Sequence, residues 1–351
     1  MQAPTIKDVA RAAGVSAATA SRVLSGHPAT SSDARAKVEA AAASLGFLPN
    51  AQARSLRSTK TDSIALLISD VRNPYFSDLA HAVEQHARAA GLVTFIGNAN
   101  EDTTQQDEFL ATMLSRRVDG LLVVPQGLAE GSNTPSAMLQ RVISSPIPTV
   151  FVDRTVTGTA TPSITASSRQ ALERAVADLK AGGHRRIAFL GGPKHASTAA
   201  ERYTAFDAAL TSNGLEADEA LHFAGDFQRS SGRAGAQWFL THPAAPTAVV
   251  IADAPMALGA LAYWQETGAR IGRDFSVISF DEVDALLLHD PPIATISHDL
   301  ERMGQAALDA LMALMRGEQP TALQLDSQYT ARPSVAPAPA RNVKSERNPR
   351  P

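Results

Sequence analysis

From residue 62 onwards, short apolar segments recur along the chain, and this rhythm is the strongest constraint on its fold. Stretches compatible with helices, most of them of roughly 12 to 20 residues, separate these segments. A chain that alternates strand and helix in this way folds into parallel sheets with helices on both faces. The segments are SIALLIS (63–69), LVTFIG (92–97), DGLLVV (119–124), PTVFVD (148–153), RRIAFLGG (185–192), TAVVIA (247–252) and FSVISF (275–280).

The spread of these predicted strands favours two α/β lobes, because one hydrophobic core rarely holds so long a chain. Two segments rich in Thr, Ser and Pro, 154–166 and 290–297, are predicted to cross between the lobes. We therefore expect lobe one at about 62–161 plus 292–331 and lobe two at about 162–291. A ligand cleft is expected between them, at the carboxyl ends of the strands.

The first 60 residues differ from the rest of the chain in charge. They contain eight Lys and Arg against three Asp and Glu, a net charge of +5, which leaves −8 on the remainder. A basic head on an acidic body indicates that only the head meets a polyanion such as nucleic acid. A solvated charged face would have the same composition.

The same 60 residues predict short helices. Thr5 followed by Asp8 is typical of a capping box at the start of the first helix. Gly14 ends that helix, Ser16 can cap a second one, and Ser32 can cap a third. A helix, a tight turn that contains glycine and another helix have the spacing of a helix-turn-helix.

Composition indicates the compartment and argues against several kinds of site. There is no cysteine, so disulfides and thiolate metal sites are impossible, and a reducing cytoplasm is expected. No apolar run suits a signal peptide or approaches the ~18 residues that cross a membrane. We expect a cytoplasmic protein with no cofactor and no bound metal. Residues 332–351, rich in Pro, Ala and Arg, are predicted to form a disordered tail.

Several motifs occur in the order and spacing of one known family. They are TIKDVARAAGVSAATASRVLSG (5–26), PNAQARSLR (49–57), NPYF (73–76), RRVDGLLVVP (116–125), FVDR (151–154), GHRRIAFLGGP (183–193), MALGAL (256–261) and SVISFDE (276–282). From about residue 4 to 330 the chain resembles the lac-repressor-type (LacI/GalR) family of bacterial transcription regulators. The resemblance implies a helix-turn-helix domain at 1–49, a hinge helix and linker at 50–61, and a periplasmic-binding-protein-like effector and dimerisation domain at 62–331. It also implies a repressor controlled by a small molecule, commonly a sugar.

The second helix of the head would then lie in the major groove of DNA, whose width admits an α-helix. In the family, the two positions after Ser16 read bases. Here both are alanine, which can only contact a thymine methyl or leave room for neighbours. Arg22 can donate to guanine or phosphate, and Thr19 could instead have a packing or capping role. The predicted contacts in the head are Thr5, Ser16, Ala17, Ala18, Thr19, Ser21 and Arg22.

The resemblance further implies that residues 50–57 become a hinge helix on DNA beside the partner's hinge. Leu56 occupies the position at which the family inserts a leucine into the minor groove, a wedge that kinks DNA. Taken without the family, Leu56 would be an ordinary core leucine. Paired hinges imply a twofold dimer on a near-palindromic operator. The predicted hinge contacts are Asn50, Ala53, Arg54, Leu56 and Arg57.

In the cleft, the resemblance implies an effector site of aspartates, an arginine and aromatic rings. Carboxylates accept hydrogen bonds from paired hydroxyls, arginine donates in a fork, and an aromatic face covers a sugar ring. Each aspartate could instead cap the helix after its strand, and Phe227 could pack in the core. The predicted effector contacts are Tyr75, Phe76, Asp153, Arg202, Phe227, Asp253 and Asp281.

Three departures from the family bear on the ligand. Asp253 stands where the family usually has asparagine, Ala254 replaces an acidic residue, and Ser167-Ser168 replaces a frequent Asp-Asn pair. With Asp153, Asp253 and Asp281 together, a neutral, hydroxyl-rich effector is expected rather than an anionic one.

Three other functions compete with that of a regulator controlled by a small molecule. For an enzyme, HAVEQH (81–86) misses the spacing of a zinc helix, and neither a P-loop nor a GxSxG motif occurs. A periplasmic sugar-binding protein would need a signal peptide and no basic head. A regulator whose effector is a partner protein would be distinguished by binding assays with a metabolite alone.

Overall fold

The computed structural model of the chain describes residues 4–24, 30–47, 60–127 and 132–339. The chain divides into two compact units between Thr61 and Asp62. Over the described part of the smaller unit, helices surround a small apolar core to which Val9, Ala20 and Val38 contribute. These helices are α1 (Ile6–Ala13), α2 (Ala17–Leu24) and α3 (Ser32–Leu45).

The predicted capping box at the start of the first unit is present. The Asp8 carboxylate accepts hydrogen bonds from the backbone N–H and the hydroxyl of Thr5, at 2.9 and 2.6 Å. Gly14 ends α1 at a φ of 67°, a left-handed conformation that glycine adopts without steric cost. Ser16 caps α2, since its hydroxyl accepts from the backbone N–H of Thr19 at 3.0 Å.

The second unit alternates strands and helices along its length. In chain order they are β1 (Ser63–Ile68), α4 (Pro74–Ala89), β2 (Val93–Asn98), α5 (Thr103–Arg116), β3 (Gly120–Val123), α6 (Ala137–Ile143), β4 (Thr149–Val152), β5 (Ser163–Ser167), α7 (Arg169–Ala181), β6 (Ile187–Gly191), α8 (Ser197–Ser212), β7 (His222–Ala224), α9 (Arg229–Thr241), β8 (Ala248–Ile251), α10 (Ala254–Thr267), β9 (Ser276–Phe280), α11 (Asp284–Leu287), β10 (Ala294–Ser297), α12 (Leu300–Met315), β11 (Leu323–Asp326) and β12 (Gln328–Thr330). This alternation confirms the predicted fold class.

Two sheets form the two lobes of this unit. In lobe one the strand order is β11–β5–β4–β3–β1–β2, and the neighbouring strands are parallel. In lobe two the order is β12–β10–β9–β8–β6–β7, with β12 antiparallel to β10 and the other pairs parallel. Separate apolar clusters lie on the two faces of the first sheet, so β1 is buried along its whole length.

The chain crosses between the lobes after β5, after β10 and between β11 and β12. Each crossover contributes one residue to a connected set of hydrogen bonds. Ser327 donates its backbone N–H and its hydroxyl to the Ser167 carbonyl, at 2.9 and 2.8 Å. The Ser327 hydroxyl also lies 3.0 Å from His298 Nδ1. The three crossovers are therefore tied together.

The structure corrects the predicted lobe boundaries. The segment 154–166 contains most of β5, which stays in lobe one, and 290–297 contains β10, which stays in lobe two. Each segment is short and carries Ser, Thr and Pro, a composition that is typical of connections. Each strand instead completes its own sheet before the chain leaves the lobe.

The predicted disordered tail is also wrong for residues 332–339. Ser334 is fully buried, and its hydroxyl donates to the Val277 carbonyl at 2.7 Å. The Ala338 N–H donates to the Gly182 carbonyl at 2.8 Å. Lobe two therefore fixes this segment through backbone hydrogen bonds, for which a Pro- and Ala-rich composition gives no signal. Residues 340–351 lie outside the described part. Where helices are described, none is long and apolar enough to cross a bilayer.

Candidate functional site

A cleft between the lobes is lined by side chains near the carboxyl ends of strands from both sheets. Asp153 follows β4, Asp253 follows β8 by two residues, and Asp281 follows β9. The cleft is closed down to about 20 Å³, room for little more than one water molecule. A ligand therefore enters only if the lobes or side chains move. The lining residues are Asp70, Asn73, Tyr75, Phe76, Glu101, Asp153, Arg154, Thr198, Arg202, Phe227, Asp253 and Asp281.

On the lobe-one side, the central cation is paired within its own lobe. The Arg154 side chain, 5% exposed, donates to both Glu101 carboxylate oxygens at 2.6 and 2.8 Å. It also donates to the Gln126 side chain at 3.0 Å. Burial opposes the charged form, but the Glu101 carboxylate raises the pKa of Arg154 above its ordinary value. This pair is a fixed part of the lobe-one wall.

The other acidic side chains of lobe one also have partners. Arg72 donates to Asp70 at 2.7 Å, and it reaches across the cleft to the Gln228 side chain at 3.2 Å. The Tyr75 hydroxyl donates to Asp153 Oδ1 at 2.7 Å. Lobe one therefore presents carboxylates whose hydrogen-bonding capacity is partly used.

On the lobe-two side, two buried carboxylates each keep one oxygen open. Asp253 Oδ1 accepts from the Met256 N–H at 2.9 Å, which caps α10, and Asp281 Oδ2 accepts from the Ala254 N–H at 3.1 Å. Among the described residues, Asp253 Oδ2 has no hydrogen-bond partner, and Asp281 Oδ1 has none of ordinary length and angle. Burial raises the pKa of Asp281, and the Asn73 amide opposes this rise only in part. The two open oxygens can accept hydrogen bonds from a ligand.

Burial makes these carboxylates costly to ionise. It raises the pKa of Asp281 to about 6 against the opposing Arg202 charge. Burial and the neighbouring Asp281 charge raise the pKa of Asp253 well above its ordinary value. Burial also raises the pKa of Asp153, which the Arg154 and Arg202 charges oppose. The site holds more acidic groups than its arginines neutralise.

Arg202 is the lobe-two cation of the cleft and is held from several sides. Its guanidinium donates to the Ala252 carbonyl and lies over the Phe280 ring, 4.3 Å from the ring centre. Its Nη2 is 3.4 Å from His298 Nε2. These contacts fix the orientation of the Arg202 guanidinium in the cleft.

Aromatic rings from both lobes border the Arg154 guanidinium. The ring centres of Phe227 and Phe76 lie 5.2 and 5.9 Å from it. Phe227 has a φ of 63°, and a Cβ on Gly192 would lie 2.2 Å from its ring. The absence of a side chain at Gly192 therefore lets Phe227 reach the cleft.

All seven side chains predicted as effector contacts line this one cleft. That they bind an effector remains a prediction. The sequence reasoning missed further lining residues, although NPYF contains Asn73 and FVDR contains Arg154. The missed residues are Asp70, Asn73, Glu101, Arg154 and Thr198.

On the head, the exposed side of α2 begins with Ser16, Ala17 and Ala18, and Arg22 is exposed one turn later. The Thr19 hydroxyl lies 2.8 Å from the Ser16 hydroxyl, within the cap of α2. Thr5 takes part in the capping box, and Ser21 is half-buried. The predicted hinge contacts Asn50, Ala53, Arg54, Leu56 and Arg57 lie outside the described residues.

A helix-turn-helix head and a two-lobed unit with a polar cleft define a class, that of DNA-binding regulators that respond to a ligand. Two family models match the chain: "Bacterial regulatory proteins, lacI family" over residues 5–50 and "Periplasmic binding protein-like domain" over 176–335. The ribose operon repressor of Escherichia coli K12 is 32% identical over 326 residues, 93% of this chain and 97% of that protein. The chain belongs to the lacI family of bacterial regulatory proteins. It is a DNA-binding transcriptional regulator rather than an enzyme, as predicted.

Other relatives span nearly the whole chain. The transcriptional repressor PurR of Erwinia tasmaniensis is 32% identical over 352 residues, 97% of this chain and 99% of that protein. Among solved structures, the lac repressor dimer bound to operator and the anti-inducer ONPF has a TM-score of 0.83 at 28% identity, covering 95% of this chain and all of that one. The complex of the transcriptional regulator CelR with cellobiose has a TM-score of 0.69 at 26% identity, covering 94% and 99%.

Proposed function

We propose that this regulator is a homodimeric repressor that binds a near-palindromic operator and is released from it by a neutral, hydroxyl-rich molecule of the sugar class. The effector would bind in the cleft between the lobes. The observation that carries the ligand class is the pair of open, buried carboxylate oxygens, Asp253 Oδ2 and Asp281 Oδ1.

An ionised carboxylate only accepts hydrogen bonds, whereas the raised pKa of Asp253 favours its neutral form, which also has one O–H donor. A hydroxyl group both donates and accepts, so it suits either form. Two hydroxyls of a sugar can donate to Asp253 and Asp281. The same hydroxyls and the ring oxygen can accept from Arg202, whose remaining N–H groups complement a polyol. The Phe227 and Phe76 rings offer apolar faces for the C–H side of a sugar ring.

Charge in the cleft disfavours an anionic effector. Asp70, Glu101, Asp153, Asp253 and Asp281 line it, against the lining arginines 154 and 202. Arg72 and Arg154 are already paired with Asp70 and Glu101. A phosphate group would therefore meet only Arg202 beside three buried carboxyl groups, which would have to stay protonated, at a cost of several kcal/mol. Two similar proteins bear names consistent with a neutral sugar: a ribose operon repressor and a regulator in complex with cellobiose.

The switch would follow from closure of the cleft. Contacts between the lobes, such as the hydrogen bond between Arg72 and Gln228, form only when the lobes are close. A ligand that stabilises one arrangement of the lobes therefore raises the population of that arrangement at the expense of the other. In the dimer, that change would alter the spacing of the two heads and their affinity for DNA.

The DNA surface would be α2 of the head. Ala17 and Ala18 offer bases only methyl contacts, so Arg22 and the hinge would carry most of the remaining readout. Ser16, Thr19 and Ser21 are proposed to contact phosphates, which position the head without specifying sequence.

Selection of genomic fragments by the purified dimer tests this function. We expect enrichment of a near-palindromic sequence over random DNA, and we expect a neutral sugar to lower the affinity for that sequence. No enriched fragment at low salt would contradict operator binding. An enriched operator that only a purine or a sugar phosphate releases would retain the regulator and overturn the ligand class.

A further inference from the structure

His298 lies at the crossover from β10 to α12, beside the cleft but outside its lining residues. It is half-buried, and the centres of the Tyr75 and Phe280 rings lie 5.7 and 6.4 Å from the centre of its own ring. Its two nitrogens face different partners. Nε2 is 3.4 Å from Arg202 Nη2, and Nδ1 is 3.0 Å from the Ser327 hydroxyl.

The donors and acceptors around this ring fit one protonation state. An arginine only donates, so His298 Nε2 must accept and therefore carries no proton. The Ser327 hydroxyl uses its own hydrogen on the Ser167 carbonyl at 2.8 Å, so it accepts from a protonated Nδ1. Hydrogen bonds then run in one direction, from Arg202 through His298 and Ser327 to Ser167.

We infer that His298 is a positioning residue, a neutral imidazole protonated on Nδ1 that fixes Arg202 and links it to the crossovers between the lobes. The crossovers after β5 and β10 and between β11 and β12 each contribute one member of the series. A rotation of the lobes about these crossovers would therefore change the support of Arg202. The effect on effector binding rests on the proposed function, whereas the hydrogen bonds that connect Arg202, His298 and Ser327 do not.

The burial of His298 and the facing charge agree with this state. Burial, aided by the positive charge of Arg202, lowers the pKa of His298 to about 3. A protonated ring would place a second cation against the guanidinium and lose the acceptor at Nε2.

Nitrogen-15 spectra of histidine side chains in the full-length protein test the arrangement without any effector. The chain has nine histidines, and the signal that His298→Gln removes belongs to His298. We expect a protonated Nδ1 and an unprotonated Nε2 that do not change between about pH 5 and pH 8. Protonation on Nε2, or titration within that range, overturns the inference.

Two substitutions separate positioning from simple packing. Glutamine can place its amide oxygen where Nε2 lies and still accept from Arg202, whereas asparagine is too short to reach the guanidinium. We expect resolved, slowly exchanging Nη signals of Arg202 in the wild type and in His298→Gln, and averaged signals in His298→Asn. Identical Arg202 signals in all three proteins overturn the inference.

His184→Gln is the control, because His184 is a buried histidine that contacts Ser276 and the Ala336 carbonyl in lobe two. It should leave the Arg202 signals unchanged, and thermal melting of each variant shows whether it is folded. With D-ribose as the probe, we expect binding about tenfold weaker in His298→Asn and within about twofold in His298→Gln. Equal weakening in both contradicts positioning. If the wild type binds neither D-ribose nor any other neutral pentose or hexose, the proposed ligand class is overturned, while the spectra still decide the role of His298.

Discussion

Lobe one and lobe two have the same strand order, but they differ in how the charged side chains that line the cleft are paired. In lobe one, Arg154 and Glu101 neutralise each other, and the Tyr75 hydroxyl donates to Asp153. In lobe two, Asp253 and Asp281 each leave one oxygen open inside the protein. The central charges of the first wall are paired within lobe one, although Arg154 Nε has no hydrogen-bond partner among the described residues, whereas the second wall leaves acceptor oxygens open. Under the proposed function, lobe two would select the ligand, and lobe one would provide the surface against which it is held.

The largest effect is expected from Arg202→Ala. This change removes a donor to the effector and leaves the carboxylates of lobe two without a facing cation, so we expect sugar binding to weaken at least about a hundredfold. Titration calorimetry measures the affinity. Arg233→Ala is the control, because Arg233 forms an exposed pair with Glu266 in the same lobe. Similar losses in both variants would contradict a specific role for Arg202.

The charge pairing of the lobe-one wall is tested by Glu101→Ala. The change leaves the buried Arg154 charge without its carboxylate, and the free energy of unfolding should fall by about 3 kcal/mol. Glu266→Ala, which breaks an exposed pair, should cost less than about 1 kcal/mol. Urea denaturation gives both values. Equal, small losses would show that lobe one does not depend on its internal pairing.

The buried Asp281 carboxyl group of lobe two should make the free energy of unfolding depend on pH. The folded pKa of Asp281, about 6, exceeds its ordinary value of 3.8. The folded state therefore holds this proton more tightly, and stability falls as the pH rises from about 4 to about 7. Asp281→Asn should be more stable than the wild type by about 1 to 3 kcal/mol at pH 7.5.

That advantage should shrink as the pH falls towards about 4.5, where the wild-type carboxyl is also neutral. Thermal and urea unfolding across this range measure the difference, and Asp274→Asn on the surface serves as the control. A difference that stays constant with pH would indicate that Asp281 is ionised without penalty.

The smallest effect is expected from a substitution at the contact that joins the two lobes across the cleft. Gln228→Ala removes the hydrogen bond with Arg72 across the cleft, while Arg72 keeps its pair with Asp70. Stability should change by less than about 0.5 kcal/mol, and sugar affinity by less than about threefold. A larger loss, by calorimetry, would mean that closure depends on this bond rather than on the lobe-two carboxylates.

Much of this organisation could be predicted from the sequence. The apolar runs gave the inner strands of both sheets, because buried parallel strands are apolar along their length. The strands β5 and β10 were missed, since SITAS and ATIS carry polar residues and begin within two residues of a proline. Residues 332–339 were missed because the hydrogen bonds that order them come from distant backbone.

In the cleft, motif positions identified the residues that follow strands but not their partners. Glu101 is 53 residues from Arg154, and no spacing rule joins them. Likewise, His298 has no motif of its own, and only the folded chain brings it between Arg202 and Ser327. Local patterns predict which residues reach the cleft, whereas the pairing of charges is set by tertiary structure.

The most direct test of the account is a calorimetric titration of the full-length protein with matched ligands: neutral pentoses and hexoses, their phosphates, and purines. We expect a neutral sugar to bind, and its phosphate to bind at least about tenfold more weakly, because the lobe-two carboxyl groups bind hydroxyls and, where ionised, repel anions. A purine or a sugar phosphate that binds more tightly than every neutral sugar would contradict the account.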